Sequence, residues 1–428
     1  MRYRKLDKTT MPTRDTSTPV VILASPHHGG LGVTRSLGRL GIPVFNVDSS
    51  RWTPALFSKY CQGKFVWDID QAPPEQSVER LVDIARLLGG RPVLIPTTDS
   101  AAILVADYAA ALREWYIFPD QSRRLVRSLS SKKEMYFLAK KLRVATPDTH
   151  FFKTKDDLLE RAETLKLPIM IKAIDGQLPA WGNKKKLIIR TPRELLDFYD
   201  SVDDKTVRNL AVQEYIQGGE DDVWMFNGYF NERSECLAGF TGRKLRQCPA
   251  YTGVTSLGMC QENEDVASIA EDLMETVGYR GIVDIDFRYD ARDGQYKVLD
   301  VNPRIGSTFR LFVSDDGMDV ARALYLDMTG QPVTAVRACP GRKWIVEDFD
   351  LVALFRYRRD GKLTFGEWLR SLRGVRESAF FAMDDLVPML LMLRADVGEM
   401  LRRFRPRSLN TNTAAAVPSA PDERNVCC

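Results

Sequence analysis

The stretch from Gly281 to Arg304 gathers acids, an amide and an arginine within an apolar frame, and reads as two β-strands joined by a short turn. A loop of Arg292, Asp293 and Gly294, with glycine in the left-handed position, is a standard three-residue connection, and centring the pairing on Asp293 sets Asp286 opposite Asp300. Their carboxylates then share one face, and the two-residue period of a strand adds Asn302 to it. Opposed acids repel by up to roughly 1 kcal/mol, and more when desolvated, unless a cation lies between them. Mg²⁺, with Mn²⁺ as a substitute, suits such a site because it takes one or two protein carboxylates and completes its shell with water and phosphate oxygens. Phosphate chemistry follows from the metal, and Arg304 supplies a fixed cation for a transferring phosphoryl group. The plain alternative is an exposed hairpin whose acids are merely solvated.

The elements around this hairpin must hold it against a partner surface. A length of 428 residues corresponds to about three domains, and 44% apolar with 28% charged residues is ordinary globular composition. A net charge of +4 is too small to make nucleic acid or a membrane surface the expected partner. The cysteines show no metal-like spacing, no secretory signal or apolar span is visible, and a reduced, cytoplasmic setting fits. With three histidines, no Walker A, H-E-x-x-H or G-x-S-x-G pattern, the chemistry must rest on carboxylates, lysines and arginines.

From Pro19 the chain reads strand, glycine-containing turn, helix and strand ending at Asp48, and the alternation continues to Phe118: an α/β domain with a parallel sheet over 19–120. Gly29, Gly30 and Gly32 either let the chain turn or cradle an anion at the helix N-terminus; Arg35 stands where a dinucleotide fingerprint needs glycine. Thr98, Asp99 and Ser100 end a strand where ligands of open α/β sheets sit. Ser131 and Glu134 form a capping box that places Lys132 in a first helical turn, either against a ligand phosphate or in solvent. The apolar strand Leu167 to Ala173 carries Lys172, a residue rarely buried without a partner. Beyond Pro340 come basic clusters and a helix over about 384–404, whose Met389, Met392 and Met400 make a docking or dimer face, or a basic membrane-surface element. The tail from Ser408 has a disordered composition, and Cys427 with Cys428 reads as a dangling thiol pair.

Asp286 followed by Phe287, then Val298 to Arg304 with Asp300, Asn302, Pro303 and Arg304 in order, closely resembles the metal-binding end of the ATP-grasp superfamily. Lys132, Lys172 and the segment Val212 to Glu220 fall in the family's order, and the resemblance spans about Pro19 to Gly330. It implies an α/β domain (19–120) after a tail (1–18), then α+β ATP-grasp small (121–210) and large (211–335) lobes, with a mostly helical extension (336–404) and a tail (405–428). Lys132 and Lys172 would contact ATP phosphates, Glu214 with the backbone near Ile216 would read adenine, and Glu220 would hold ribose. Asp286, Asp300 and Asn302 would bind the metal, and Arg304 would face the transferred phosphate. The loop after Lys172 is thin in glycine and leaves open which of Lys184, Lys185 and Lys186 takes part.

Arg243, Lys244 and Arg246, ahead of a turn-rich loop, are similar to a feature of predicted carboxylate-amine ligases, and would hold triphosphate or an anionic substrate; the alternative is a solvated strand edge. Gly306, Ser307, Thr308 and Arg310 could grip a carboxylate. The activity implied is ATP-dependent phosphorylation of a carboxylic acid to an acyl phosphate, with Lys172, Arg304 and Arg243 absorbing charge, then attack by an amine to release phosphate. The alternatives are a bicarbonate-activating carboxyphosphate enzyme and a non-catalytic nucleotide scaffold.

Overall fold

The computed structural model describes residues 15–26, 28–162, 164–174, 186–334, 336 and 340–404, with side chains to 395. The expectations for the terminal tails, Lys184, Lys185 and the Cys427–Cys428 pair lie outside these residues.

Strand β1 (Val20–Leu23) is wholly buried and pairs in parallel with β2 (Val44–Asp48) and β4 (Val93–Pro96), while β3 (Cys61–Val66) lies beyond β2. A central strand covered on both faces accounts for the unbroken apolar run. The edge strand β3, alternately half-buried and exposed, carries no such run. The alternation expected to continue to Phe118 ends not in a full strand but in one bridge between Ile117 and Val93. Helices α1 (His28–Gly38), α2 (Pro74–Leu88), α3 (Asp99–Asp107) and α4 (Ala109–Leu112) complete this unit. Gly29, Gly30 and Gly32 lie within α1, Gly29 and Gly30 in its first turn, so they do not form a turn ahead of the helix. A Cβ at Gly30 would come 2.3 Å from the Ser25 Cβ, and one at Gly32 2.8 Å from the Arg310 Cγ. The glycines thus let α1 press against both the end of β1 and the segment after Arg304.

Helices α5 (Arg123–Ser130) and α6 (Lys132–Leu142) lead into a four-stranded antiparallel sheet of β5 (Thr149–Phe151), β6 (Ile169–Ala173), β7 (Lys186–Ile189) and β8 (Leu210–Glu214), ordered β5-β8-β6-β7. Helices α7 (Lys155–Ala162), α8 (Pro192–Asp200) and α9 (Asp204–Arg208) occur in the same stretch, and Leu158, Leu195, Phe198 and Val207 join its strands in one apolar core.

The large sheet runs β13-β12-β9-β10-β11-β14-β15, from β9 (Val223–Phe230), β10 (Cys236–Cys248), β11 (Val254–Cys260), β12 (Gly281–Asp290), β13 (Gln295–Asn302), β14 (Lys343–Ile345) and β15 (Val375–Ser378). Helix α10 (Glu264–Thr276) covers one face through Val266, Ala270 and Met274, and α11 (Val320–Met328) packs into a separate core that also includes β1 and β2 residues. The extension is mostly helical, with α12 (Glu347–Arg359), α13 (Phe365–Ser371) and α14 (Val387–Phe404), and it also contributes β14 and β15. In α14 Met392 is buried and Met389 half-buried, while Leu390 and Leu393 are exposed; the Met400 side chain lies outside the described residues. Among the described residues no helix is long and apolar enough to cross a membrane.

Candidate active site

The β12–β13 pair sets Asp286 opposite Asp300 and Asp284 opposite Asn302. The route to that register differs from the three-residue loop expected. Asp290 pairs with Gln295, leaving four residues in the connection with Gly294 at φ +71°, and a bulge at Leu299 then shifts the register by one. The two departures cancel at the aspartates. Asp284, two residues before Asp286, joins the same face and was not singled out from the sequence. Burial, then the nearby Asp286 charge, lifts its carboxyl well above the usual carboxylate range.

Lysines gather on this acidic face. Lys244 Nζ lies 2.9 Å from Asp286 Oδ2. Burial alone would raise the Asp300 carboxyl, but Lys172, Lys186, Lys132 and Lys244 together draw it below its ordinary value. Lys172, on β6, is 4% exposed, and with Lys132 and Asp300 it lines a small cleft. Lys132 begins α6 under its Ser131 cap, and its Nζ reaches the Ile174 carbonyl at 3.2 Å. The Glu134 side chain accepts from Ser128 rather than closing the expected box. Lys186 donates to the Thr252 carbonyl at 3.3 Å, bridging the middle and large sheets, and burial followed by the Lys172 charge pulls its pKa down to about 8. Mutual repulsion of the acids is therefore relieved in part by ammonium groups.

Arg304 leans across to the first unit, with Nε 2.8 Å from Asp99 Oδ1 and a second nitrogen 3.3 Å from Asn302 Oδ1. It also lines a mostly apolar cavity that runs along α3 past Ala102 and Ala106 to Tyr279 and Ile282. In the segment that links the sheets, Glu214 accepts from the Asp148 N–H at 3.3 Å and pairs with Arg292 at 2.6 Å, so both of its carboxylate oxygens are engaged. The Ile216 side chain is buried. Glu220 accepts from Gln247 and from the Tyr357 hydroxyl on α12, a partnership no local motif announces.

Two expected cations are not brought to the acids. Arg243 adjoins Lys244 on the strand and so points to the other face, over the Trp224 ring and 3.2 Å from Asp221. Arg246 is consumed in a buried pair, its Nε and terminal nitrogen 2.9 and 2.8 Å from the two oxygens of Asp350. Arg310, considered as a carboxylate grip, is likewise taken by Asp319 and Glu377 at 2.5 and 2.6 Å.

Among the described residues no three His, Cys, Asp or Glu side chains meet as a metal-holding group. The hairpin instead offers two opposed carboxylates and an amide, a donor set that fits Mg²⁺ sharing its shell with water and phosphate.

No protein-family model matches the sequence. The chain is 23% identical over 288 residues to a D-aspartate ligase of Enterococcus faecium (strain Aus0004), covering 64% of this chain and 68% of the relative. In structure it resembles an N5-carboxyaminoimidazole synthetase from Staphylococcus aureus complexed with ADP (TM-score 0.58, 14% identity, 76% of this chain and 81% of that one). It also resembles an L-amino acid ligase from Bacillus licheniformis (0.57, 15%, 76% and 79%). A third likeness is to a biotin carboxylase domain of Hydrogenobacter thermophilus 2-oxoglutarate carboxylase, in complex with MgADP, ADP and bicarbonate (0.56, 15%, 74% and 71%). The chain has the ATP-grasp fold.

Proposed function

We propose that this protein is an ATP-dependent ligase that activates a carboxylate as an acyl phosphate and joins it to an amine, releasing ADP and phosphate. The observation that carries the reading is the single cleft lined by Lys132, Lys172 and Asp300, with Asp286 and Asn302 on the same sheet face as Asp300. Lys132, Lys172 and Lys186 meet the nucleotide phosphates, the backbone at 214–216 meets adenine, and Glu220 meets ribose. Asp286, Asp300 and Asn302 hold Mg²⁺ or Mn²⁺, which when bound neutralises the triphosphate and polarises the phosphoryl group. Arg304, anchored by Asp99, faces the transferred phosphoryl, and the adjoining cavity gives room for the body of the acid.

The acid's carboxylate oxygen attacks the γ-phosphorus and ADP leaves; the amine then attacks the acyl carbon, and phosphate leaves as the amine loses a proton. No side-chain nucleophile is needed, because the cations position both reactants and absorb developing charge. The D-aspartate ligase relative and the L-amino acid ligase fold direct the substrate search to amino acids. The test is Mg²⁺-dependent ADP release from ATP across a panel of amino acids and amines, in wild type and Asp300→Ala. Turnover that requires an acid and an amine and disappears in the variant supports the reading. Turnover that requires only bicarbonate, or none under any condition, overturns it.

A further inference from the structure

The ribose-facing carboxylate is held from an unexpected direction. Glu220 begins a single helical turn, Glu220–Asp222, between the linking segment and β9. Its two oxygens each take one donor, Gln247 Nε2 from β10 and the Tyr357 hydroxyl from α12. Tyr357 is 5% exposed, packs edge-on against Tyr251 at 5.0 Å between ring centroids, and accepts at its hydroxyl from the Tyr251 N–H at 3.4 Å. Burial, then the Glu220 charge, raises its phenol above the ordinary range, so it stays a donor at neutral pH.

The helix that carries Tyr357 is pinned two turns earlier. Asp350, fully buried, is gripped by Arg246, by Ser256 at 3.0 Å and by Trp368 Nε1 at 2.8 Å. Residues seven apart share a helix face, so the anchor and the tip point the same way. A carboxylate has about four lone-pair sites. Two are used by Gln247 and Tyr357, which fixes the plane of the group and leaves one site on each oxygen.

We propose that Tyr357 is a positioning residue of the nucleotide site, by which the C-terminal extension holds the Glu220 carboxylate in the plane that accepts the 2′- and 3′-hydroxyls of ribose. This rests on the reading of Glu220 as the ribose ligand. It makes residues 347–357 part of the nucleotide site, although they lie beyond the hairpin and outside every motif in the sequence.

The experiment is calorimetric titration of the full chain with MgADP and with the magnesium salt of 2′,3′-dideoxy-ADP, which needs no second substrate. Tyr357→Phe keeps the ring against Tyr251 and removes the donor to Glu220, together with the long bond accepted from the Tyr251 N–H. Its affinity for ADP is expected to fall about 3- to 10-fold while that for the dideoxy nucleotide stays at the wild-type value. Gln247→Leu is expected to act in the same direction. A Tyr357→Phe protein with the wild-type ratio of ADP to dideoxy affinity, or with tighter ADP binding, overturns the inference. Glu220→Gln separates the two levels: loss of ribose discrimination there but not in Tyr357→Phe refutes the positioning role alone, and loss in neither refutes the ribose reading as well.

Discussion

Replacing Asp350 with alanine strands a buried cation, and the cost tests what Arg246 is for. The Asp350 carboxylate takes two bonds from Arg246 at 2.9 and 2.8 Å, one from Ser256 at 3.0 Å and one from Trp368 at 2.8 Å, with the two charged side chains 0% and 6% exposed. Removing one partner of such a pair leaves an uncompensated charge and costs about 3–5 kcal/mol. Urea unfolding followed by tryptophan fluorescence should show that loss for Asp350→Ala. In a cycle with Arg246→Leu and the Arg246→Leu/Asp350→Ala double variant, the coupling should reach about 2–3 kcal/mol, with a residual cost because Ser256 and Trp368 lose their acceptor. The double variant should still bind MgADP within about tenfold of wild type, since Arg246 points into the α12 interface. An Asp350→Ala protein as stable as wild type refutes the anchor, and a folded double variant that loses about a hundredfold or more in MgADP affinity returns Arg246 to the phosphates.

Asp300→Ala should lower ATP turnover by at least about 100-fold, in the range for loss of one electrostatic catalytic group, and near-normal ADP release would remove the hairpin from the chemistry. The Lys186 ammonium, with its pKa at about 8, is charged below that pH and loses its proton above it. Affinity for MgADP should therefore decline from pH 7 to pH 9 in wild type and stay level in Lys186→Met; a level wild-type profile counts against a phosphate contact. Ala106→Phe, which fills the cavity beside Arg304, should raise KM for the acid about tenfold, equivalent to 1.4 kcal/mol, and leave KM for ATP unchanged; an unaltered acid KM places the acid elsewhere.

What the sequence made legible was local. Apolar runs marked β1, β2 and β4, the Ser131 cap marked α6, and the alternation within β12 and β13 marked which residues share a face. The pairing of Asp286 with Asp300 was reached although the loop is one residue longer than expected, because the Leu299 bulge takes up the difference. A bulge leaves no period of its own to read. Arg243, Lys244 and Arg246 looked alike as a cluster, yet strand alternation turns Arg243 away, and a register shift after Lys244 delivers Arg246 to an acid 104 residues later. Partners that far along the chain are invisible to spacing. The same holds for Tyr357 on Glu220, 137 residues apart, and for the Arg304–Asp99 contact, 205 apart. The extension's strands were missed because three or four residues are too few to show a period.

Those short strands bear on how the molecule is made. β14 and β15 come late in the chain but close the edge of β11, and just after them Asp385 buries against Arg35 of α1 at 2.9 Å. A ribosome that has emitted the chain only through β13 has released both aspartates and every cleft lysine, yet leaves an open row of β11 amides and carbonyls. Until β14 has emerged, such a nascent chain is exposed to edge-to-edge aggregation, so a premature stop or a slow codon between 303 and 343 would harm yield more than one in the tail.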